Sequence, residues 1–417
     1  MTTSGASGEH AGSPPTAPRR REPLLTRSFK LILAISFLAF GMEAIVRALV
    51  PLIVLDRGGN AVTVGLVATA YSLPSLLFRP FVGSLIDTWR HRLLLRGGML
   101  ASAVIPALLL LPGIGTVMVV RFLAGTGWGF FSVSNHSLMA KLAPPNRRAE
   151  ASGVFMTMPA LGQLLLPGLG VALYTVTGTA TVSILLAVGL GLGALLFTFR
   201  IDVPTAPPRP AATALDERVP LRHRFFEPSA LPGTAILVTS FSAWSIFTVF
   251  PPVYVQHIGA PIEVLILYFP IFGLAQTISQ PFFGKFADRM GRLKSITLGA
   301  AMGLVGLLVV IIPTEIAAPM VTFSIGAFLY ALGQSLVNPT ISALVMELAP
   351  KHRLGSAMAT YSIGYQFATG ASSIAWGAII TSFGFTWMFV VAAAMQVLTI
   401  LLSQRILAPR QPGSSPS

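Results

Sequence analysis

Residues 284–294 read GKFADRMGRLK and follow a long apolar run, and a second copy of their skeleton lies 201 positions earlier. Pro80, Gly83 and Asp87 correspond to Pro281, Gly284 and Asp288 at that constant offset. Further on, Leu142, Ala143, Pro144 and Arg147 correspond to Leu348, Ala349, Pro350 and Arg353, and Gly127 to Gly333, at an offset of 206. Matching polar turns at the same depth in two halves of one chain mark an internal duplication.

What is duplicated follows from composition. The chain is 53% hydrophobic and only 10% charged, which is not a soluble composition. Its 39 Gly and 32 Pro fall largely inside the apolar runs, where membrane helices tolerate them. With no cysteine, there is no thiolate nucleophile, disulfide or cysteine-ligated metal. At about 20 residues per crossing, the runs predict spans near 31–54, 61–86, 93–112, 115–140, 149–172, 179–199, 231–255, 263–286, 295–312, 316–345, 355–381 and 384–403. The expected fold is an all-α integral membrane protein of twelve helices in two bundles of six.

The net charge of +14 could suggest a nucleic-acid partner. Placement of the charge excludes it: 24 of the 28 Lys and Arg fall in the N-terminal segment, the C-terminal segment and alternate loops, while the opposite loops hold only Arg57. Positive charge that alternates by loop is a membrane topology signal, not one basic patch, and it puts both termini in the cytoplasm. The expected organisation is a basic cytoplasmic tail over 1–30, a first bundle over 31–200, a cytoplasmic tether over 201–230, a second bundle over 231–403 and a short tail over 404–417. The first apolar run lacks the features of a cleaved signal and continues straight into a span.

The two polar turns also carry a family resemblance. Residues 284–292, GKFADRMGR, match throughout the signature that the major facilitator superfamily places between its second and third helices; residues 83–91, GSLIDTWRH, keep Gly83 and Asp87 but put Thr88, Arg90 and His91 at the other positions. The chain thus resembles that superfamily over roughly 30–403. Two repeats of six spans suit a transporter whose bundles rock about a central site. The resemblance implies a cytoplasmic gate made of Gly83, Asp87, Arg90 and Arg92 in one bundle and Gly284, Asp288, Arg289, Gly291 and Arg292 in the other. The plainer alternative is that these charges only enforce topology.

Charges inside the apolar runs are the next signal. Glu43 lies about twelve residues into the first span with Arg47 one turn further on, and Arg121 lies in the fourth span. A midplane charge is costly unless it faces protein or water, which makes each a functional candidate. Glu43 and Arg47 are spaced to pair. That pair is either structural or a site of proton binding and cation contact. Arg121 with Gly125, Gly127 and Gly129 is similar to a helix-4 pattern of the superfamily linked to proton coupling. Guanidinium keeps its proton, so the carrier would be Glu43, with Arg121 tuning how tightly it is held; packing or substrate contact by Arg121 is the other reading.

Half of a motif found in drug/proton antiporters of the superfamily occurs in the fifth span, where Gly162, Pro167 and Gly170 match and Leu166 and Val171 replace glycines. It tilts toward export, against simple kinking and packing at Pro167. Trp244, Tyr268, Gln334, Asn338 and Tyr365 are candidate cavity groups, because aromatic faces and buried amides suit amphipathic ligands; each could equally be a helix contact.

The resulting expectation is a secondary active transporter of the inner (plasma) membrane that exports small apolar or amphipathic compounds by alternating access in exchange for protons. Its partners would be the small-molecule substrate, protons and lipid, and it would work as a monomer without cofactor or metal. Proton-coupled movement of a sugar, organic acid or other metabolite is the nearest alternative, and a non-transporting sensor or scaffold the distant one. No GxxxxGK[ST] loop is present for ATP, and no nucleophile–base pair suggests an enzyme. Abundant Gly, Pro, Ala and Arg suit a bacterial gene of high GC content.

Overall fold

The first apolar run begins its helix at Thr26, whose hydroxyl accepts the Phe29 amide at 3.2 Å and caps α1 (Arg27–Asp56). α1 is apolar on every side and accordingly lies at the centre: 78% of its most apolar stretch is buried, against 33% for α6 (Thr181–Arg200) at the periphery. Between them come α2 (Ala61–Ile86), α3 (His91–Val104, prolonged by the 3-10 segment Ile105–Leu110), α4 (Ile114–Leu142) and α5 (Arg148–Thr177). The computed structural model describes residues 25–86, 91–144, 147–201, 227–312, 318–350 and 353–407. Asp87 and Arg90 fall outside the described residues.

The second half repeats the plan with two interruptions. Its first span is broken into α7 (Leu231–Phe241), α8 (Trp244–Thr248) and α9 (Pro251–His257). Then follow α10 (Val264–Met290), α11 (Arg292–Val310), α12 (Pro319–Leu348), α13 (Leu354–Gln366), a π-helical turn Phe367–Ala371, α14 (Ser372–Phe383) and α15 (Phe385–Leu407). Ten described segments are long and apolar enough to cross a membrane; the apolar part of α10 and the interrupted α13–α14 span complete twelve crossings, six per half. The protein is an all-α membrane protein, and an even number of crossings returns the chain to the face it started from.

The two offsets in the sequence have one structural cause. Gly98 on α3 meets Gly127 on α4, and Gly299 on α11 meets Gly333 on α12; a Cβ would stand 2.8 Å from the Gly127 carbonyl oxygen in the first crossing and 2.6 Å from that of Gly333 in the second. Gly98 and Gly299 are themselves 201 apart, as Gly127 and Gly333 are 206 apart. Each half therefore builds the same glycine-to-glycine helix contact.

The expected straight span over 231–255 is replaced by three pieces. Pro251 and Pro252 have no N–H for the carbonyls one turn earlier, so the helix cannot run through. The carbonyl of Phe247, left without its helical donor by Pro251, accepts the Tyr268 hydroxyl at 2.8 Å. At the earlier break the Ser240 carbonyl accepts Tyr330 Oη at 2.8 Å, Gln334 Nε2 at 3.2 Å and Gln396 Nε2 at 2.8 Å, and the Ser242 carbonyl accepts Trp376 Nε1 at 2.7 Å. Side chains thus do for the freed carbonyls what water cannot do inside a bilayer.

The expected tether over 201–230 also gives up its last residues to the second half. Residues 227–230 are built in: Glu227 is buried, accepts from the Ser229 amide and hydroxyl at 3.2 and 2.8 Å, and pairs through Oε2 with Arg353 Nη1 at 2.8 Å. At its other end the second bundle outruns the expected boundary of 403, because α15 continues to Leu407.

The halves meet along two seams on the side away from the chain ends. In one, Gly65 of α2 lies on the Ser373 backbone, Gly370 on Ser72, and Gly377 on Ala61, where a Cβ would stand 2.5 Å from the Ala61 carbonyl oxygen. In the other, α5 lies on α10: a Cβ on Gly168 would stand 2.6 Å from the Ile266 carbonyl oxygen, and one on Gly273 2.6 Å from Leu164 Cα. Between the seams is a cavity.

Candidate functional site

The cavity, of about 240 Å³, draws its walls from both halves: Phe40, Glu43, Arg47, Tyr71, Arg121 and Gln163 face Trp244, Thr248, Tyr365, Gln366 and Thr369, among others. α5 is shaped for this place by helical spacing. Gly162, Leu166 and Gly170 lie one turn apart and face α1, Leu164 and Gly168 face α10, and Gln163 with Pro167 turns toward the cavity and its side recess. Leu166 stands where the antiporter motif has glycine, and it presses on Gly41 of α1. The missing space of the motif is supplied from across the interface.

α4 uses the same device. Arg121, Gly125 and Gly129 share a face at intervals of one turn; Gly125 lies against the Tyr71 backbone and Gly129 against Ser75, where a Cβ would stand 3.2 Å from Cα. This close approach lays the Arg121 guanidinium over the Tyr71 ring, with Cζ 3.8 Å from the ring centre. Arg121 Nη2 then reaches Glu43 Oε1 at 3.5 Å, and Arg47 Nε reaches the same oxygen at 3.9 Å. Glu43 and Arg121 are each about 4% exposed, whereas the Arg47 side chain is 29% exposed. Nε and Nη1 of Arg121 are buried without a hydrogen-bond partner. Among the described residues lining the cavity, Glu43 is the one acid against two arginines.

The five expected cavity groups divide. Trp244 and Tyr365 line the cavity; Trp244 stacks on Phe241 at 5.6 Å and meets Phe272 edge-on at 5.3 Å. Tyr268 and Gln334 are not among its walls, because they are engaged at the two breaks of the α7–α9 span, and Asn338 instead accepts the Tyr361 hydroxyl between α12 and α13. Tyr71, Gln366 and Gln163 are among the lining groups that lie outside the expected set. Tyr71 and Gln366 carry no charge to mark them in an apolar run, while Gln163 stands beside Gly162 in the antiporter motif and was legible there.

Of the expected gate, Gly83 lies in α2, Gly284 and Asp288 lie in α10, and Arg92 and Arg289 are exposed. Gly291 joins α10 to α11 at φ +82°, a conformation that requires glycine. Arg292, expected with Asp288 and Arg289 as the second bundle's share of the gate, forms a two-nitrogen pair with Glu347 of its own half, at 2.7 and 3.2 Å from Oε1. Arg57, the lone basic residue of the opposite loops, donates to the carbonyls of Leu109 and Gly113, the latter at 2.9 Å. No group of three or more His, Asp or Glu arranged to hold a metal occurs among the described residues.

Comparison with known proteins gives the architecture its kin. The family described as Major Facilitator Superfamily matches over residues 32–270 and 233–417. The staphylopine export protein of Staphylococcus aureus is 20% identical over 93% of this chain and 98% of its own length. The multi-drug resistance efflux pump PmrA of Streptococcus pneumoniae is 22% identical over 78% of this chain and 81% of its own. Among solved structures, a POT family transporter in complex with a thioalcohol conjugated peptide superposes with a TM-score of 0.75 at 13% identity, covering 91% of this chain and 95% of its own. The human organic anion transporter MFSD10 does so at 0.67 and 17% identity, covering 92% and 100%. These proteins are transporters, not enzymes.

Proposed function

The chain belongs to the major facilitator superfamily, and on that premise we propose that it is an exporter that moves amphipathic small molecules out of the cell in exchange for protons. The observation that carries the reading is Glu43, the one acid among the described lining residues, buried between Arg121 and Arg47 where the two halves meet. An exchanger needs a group on the central cavity that changes protonation between its two states, and guanidinium cannot. Glu43 takes the proton from outside and releases it inside. Arg121, fixed on Tyr71, is the countercharge that draws the proton off when the cavity contracts around the pair.

Export is favoured over uptake by the half-motif on α5, whose glycines seat α5 on the helix that carries Glu43, and by the likeness over most of the chain to an export protein and an efflux pump. The aromatic walls favour compounds with a broad apolar face. The alternation of basic loops supports a topology with both termini on the cytoplasmic side of a bacterial plasma membrane, and our reading is of a protein that works there as a monomer.

The test is proton movement in proteoliposomes with wild type and Glu43→Gln. Addition of a transported compound should drive proton flux opposite to its own in the wild type and none in the variant. Flux in the same direction as the compound would replace export with symport, and full coupling in the variant would remove Glu43 from the mechanism.

A further inference from the structure

We propose that the compound taken by this cavity is amphoteric, with a basic nitrogen for Glu43 and a carboxylate or similar acid group for Arg47 set close together, and an aromatic body beyond them. The inference rests on the exchange reading above and on the charges of the walls. Two arginines and one glutamate leave the lining with one positive charge in excess. Both arginines use the same carboxylate oxygen, and two buried N–H nitrogens of Arg121 have no acceptor.

Three kinds of substrate can be weighed against this arrangement. A purely cationic compound meets two like charges for one opposite charge, so its desolvation is not repaid. A purely anionic compound is attracted, but protonation of Glu43 strips the arginines of their countercharge and strengthens anion binding. By reciprocal linkage anion and proton would then travel together, which is the opposite of exchange. An amphoteric compound satisfies both conditions. Its nitrogen competes with the proton for Glu43, and its acid group takes the arginine that Glu43 gives up.

Geometry selects which arginine and how the ligand is built. Arg47 is reachable, with 29% of its side chain exposed against 4% for Arg121, and its contact to Glu43 is the longer, at 3.9 against 3.5 Å. It also borders a side recess with Gln163, Thr248, Phe269 and Phe272, which gives an acid group polar company and the body an apolar wall. Glu43 and Arg47 are one helical turn apart, so the charged groups of the ligand must be neighbours, as in an amino-acid head group, and not at opposite ends. Trp244 and Tyr365 stand across the cavity for the ring.

The experiment is gradient-free binding in detergent, by thermal shift and tryptophan fluorescence, with matched sets on phenyl, indole and naphthyl scaffolds. Each set has an amine, a carboxylate, the amino acid carrying both and a neutral amide. The amino-acid member should bind most tightly, and Arg47→Gln should weaken it about ten- to a hundredfold, to the level of the plain amine, while Arg47→Lys keeps most of the affinity. The proposal is overturned if the amine matches the amino acid on every scaffold, if Arg47→Gln leaves the order unchanged, or if no member binds at millimolar concentration. Proton flux in proteoliposomes separates it from the exchange reading. An amino-acid preference with co-directional protons removes export and keeps the ligand class, whereas a cation preference with exchange does the reverse.

Discussion

Tyr71 shows how a single uncharged side chain can hold a charge in place. Its ring lies under the buried Arg121 guanidinium, and a desolvated cation–π contact is worth about 2 kcal/mol. Tyr71→Leu should therefore lower the thermal stability of the purified protein by an amount of that order, and Tyr71→Phe, which keeps the ring face, by much less; equal losses would mean that the ring is only filling space. Gly291 offers a second residue-scale test. At φ +82° and ψ 160° it occupies a region nearly closed to other residues, so Gly291→Ala should cost about 1–3 kcal/mol in the same measurement. The charged members of the site were legible in the sequence because a charge in an apolar run has few innocent explanations. Tyr71 was not, since tyrosine is common in such runs and only the Gly125 approach from α4 gives it its place.

At the scale of elements, the broken α7–α9 span and the interrupted α13–α14 span meet at the Ser242 carbonyl, whose shortest hydrogen bond comes from Trp376 Nε1 at 2.7 Å. Trp376→Phe removes the donor and should destabilise the protein by about 1–3 kcal/mol, at the lower end because the Ser372 hydroxyl still reaches that carbonyl at 3.3 Å. Thermal unfolding of Trp376→Phe alone and with Ser372→Ala checks this: the double variant should lose more than the single one. The second break could be read from Pro251-Pro252, which no helix interior accommodates. The first could not, because Ser242-Ala243-Trp244 is compatible with a helix and the partners that replace its bonds come from α12, α14 and α15, over 80 residues away. Spans were legible from length and apolarity, which the bilayer dictates; their interruptions depend on tertiary partners, which it does not.

For the whole molecule, the two seams close one face of the cavity, and under the proposed alternating access they would have to part. A Cβ on Gly273 would stand 2.6 Å from Leu164 Cα, and backbone cannot yield as a side chain can. Gly273→Val should therefore shift the population toward states with that face open. The chain has no cysteine, so spin labels at Val176→Cys and Phe383→Cys, both exposed at 84% and 69%, report one distance across it; the distribution should move outward in the variant. The duplication that announced the fold was legible because each copy reuses the same glycine crossing; the seams also join equivalent positions, Gly65 with Ile374 answering to Ile266 with Gly168 and Ser72 with Gly370 to Gly273 with Leu164, but the glycine falls on opposite partners and the residue types leave no repeat to find.

At Gly65, Gly168, Gly273 and Gly377 those seams lay peptide on peptide. When such surfaces separate, few side chains are released into new rotamers, and when they meet again few must be ordered, so the entropy bill of a cycle is small in both directions. Two shapes with little free energy between them are what a carrier driven from outside itself requires: a strong preference for either shape would idle it there, and the gradient across the membrane is left to choose the direction of travel.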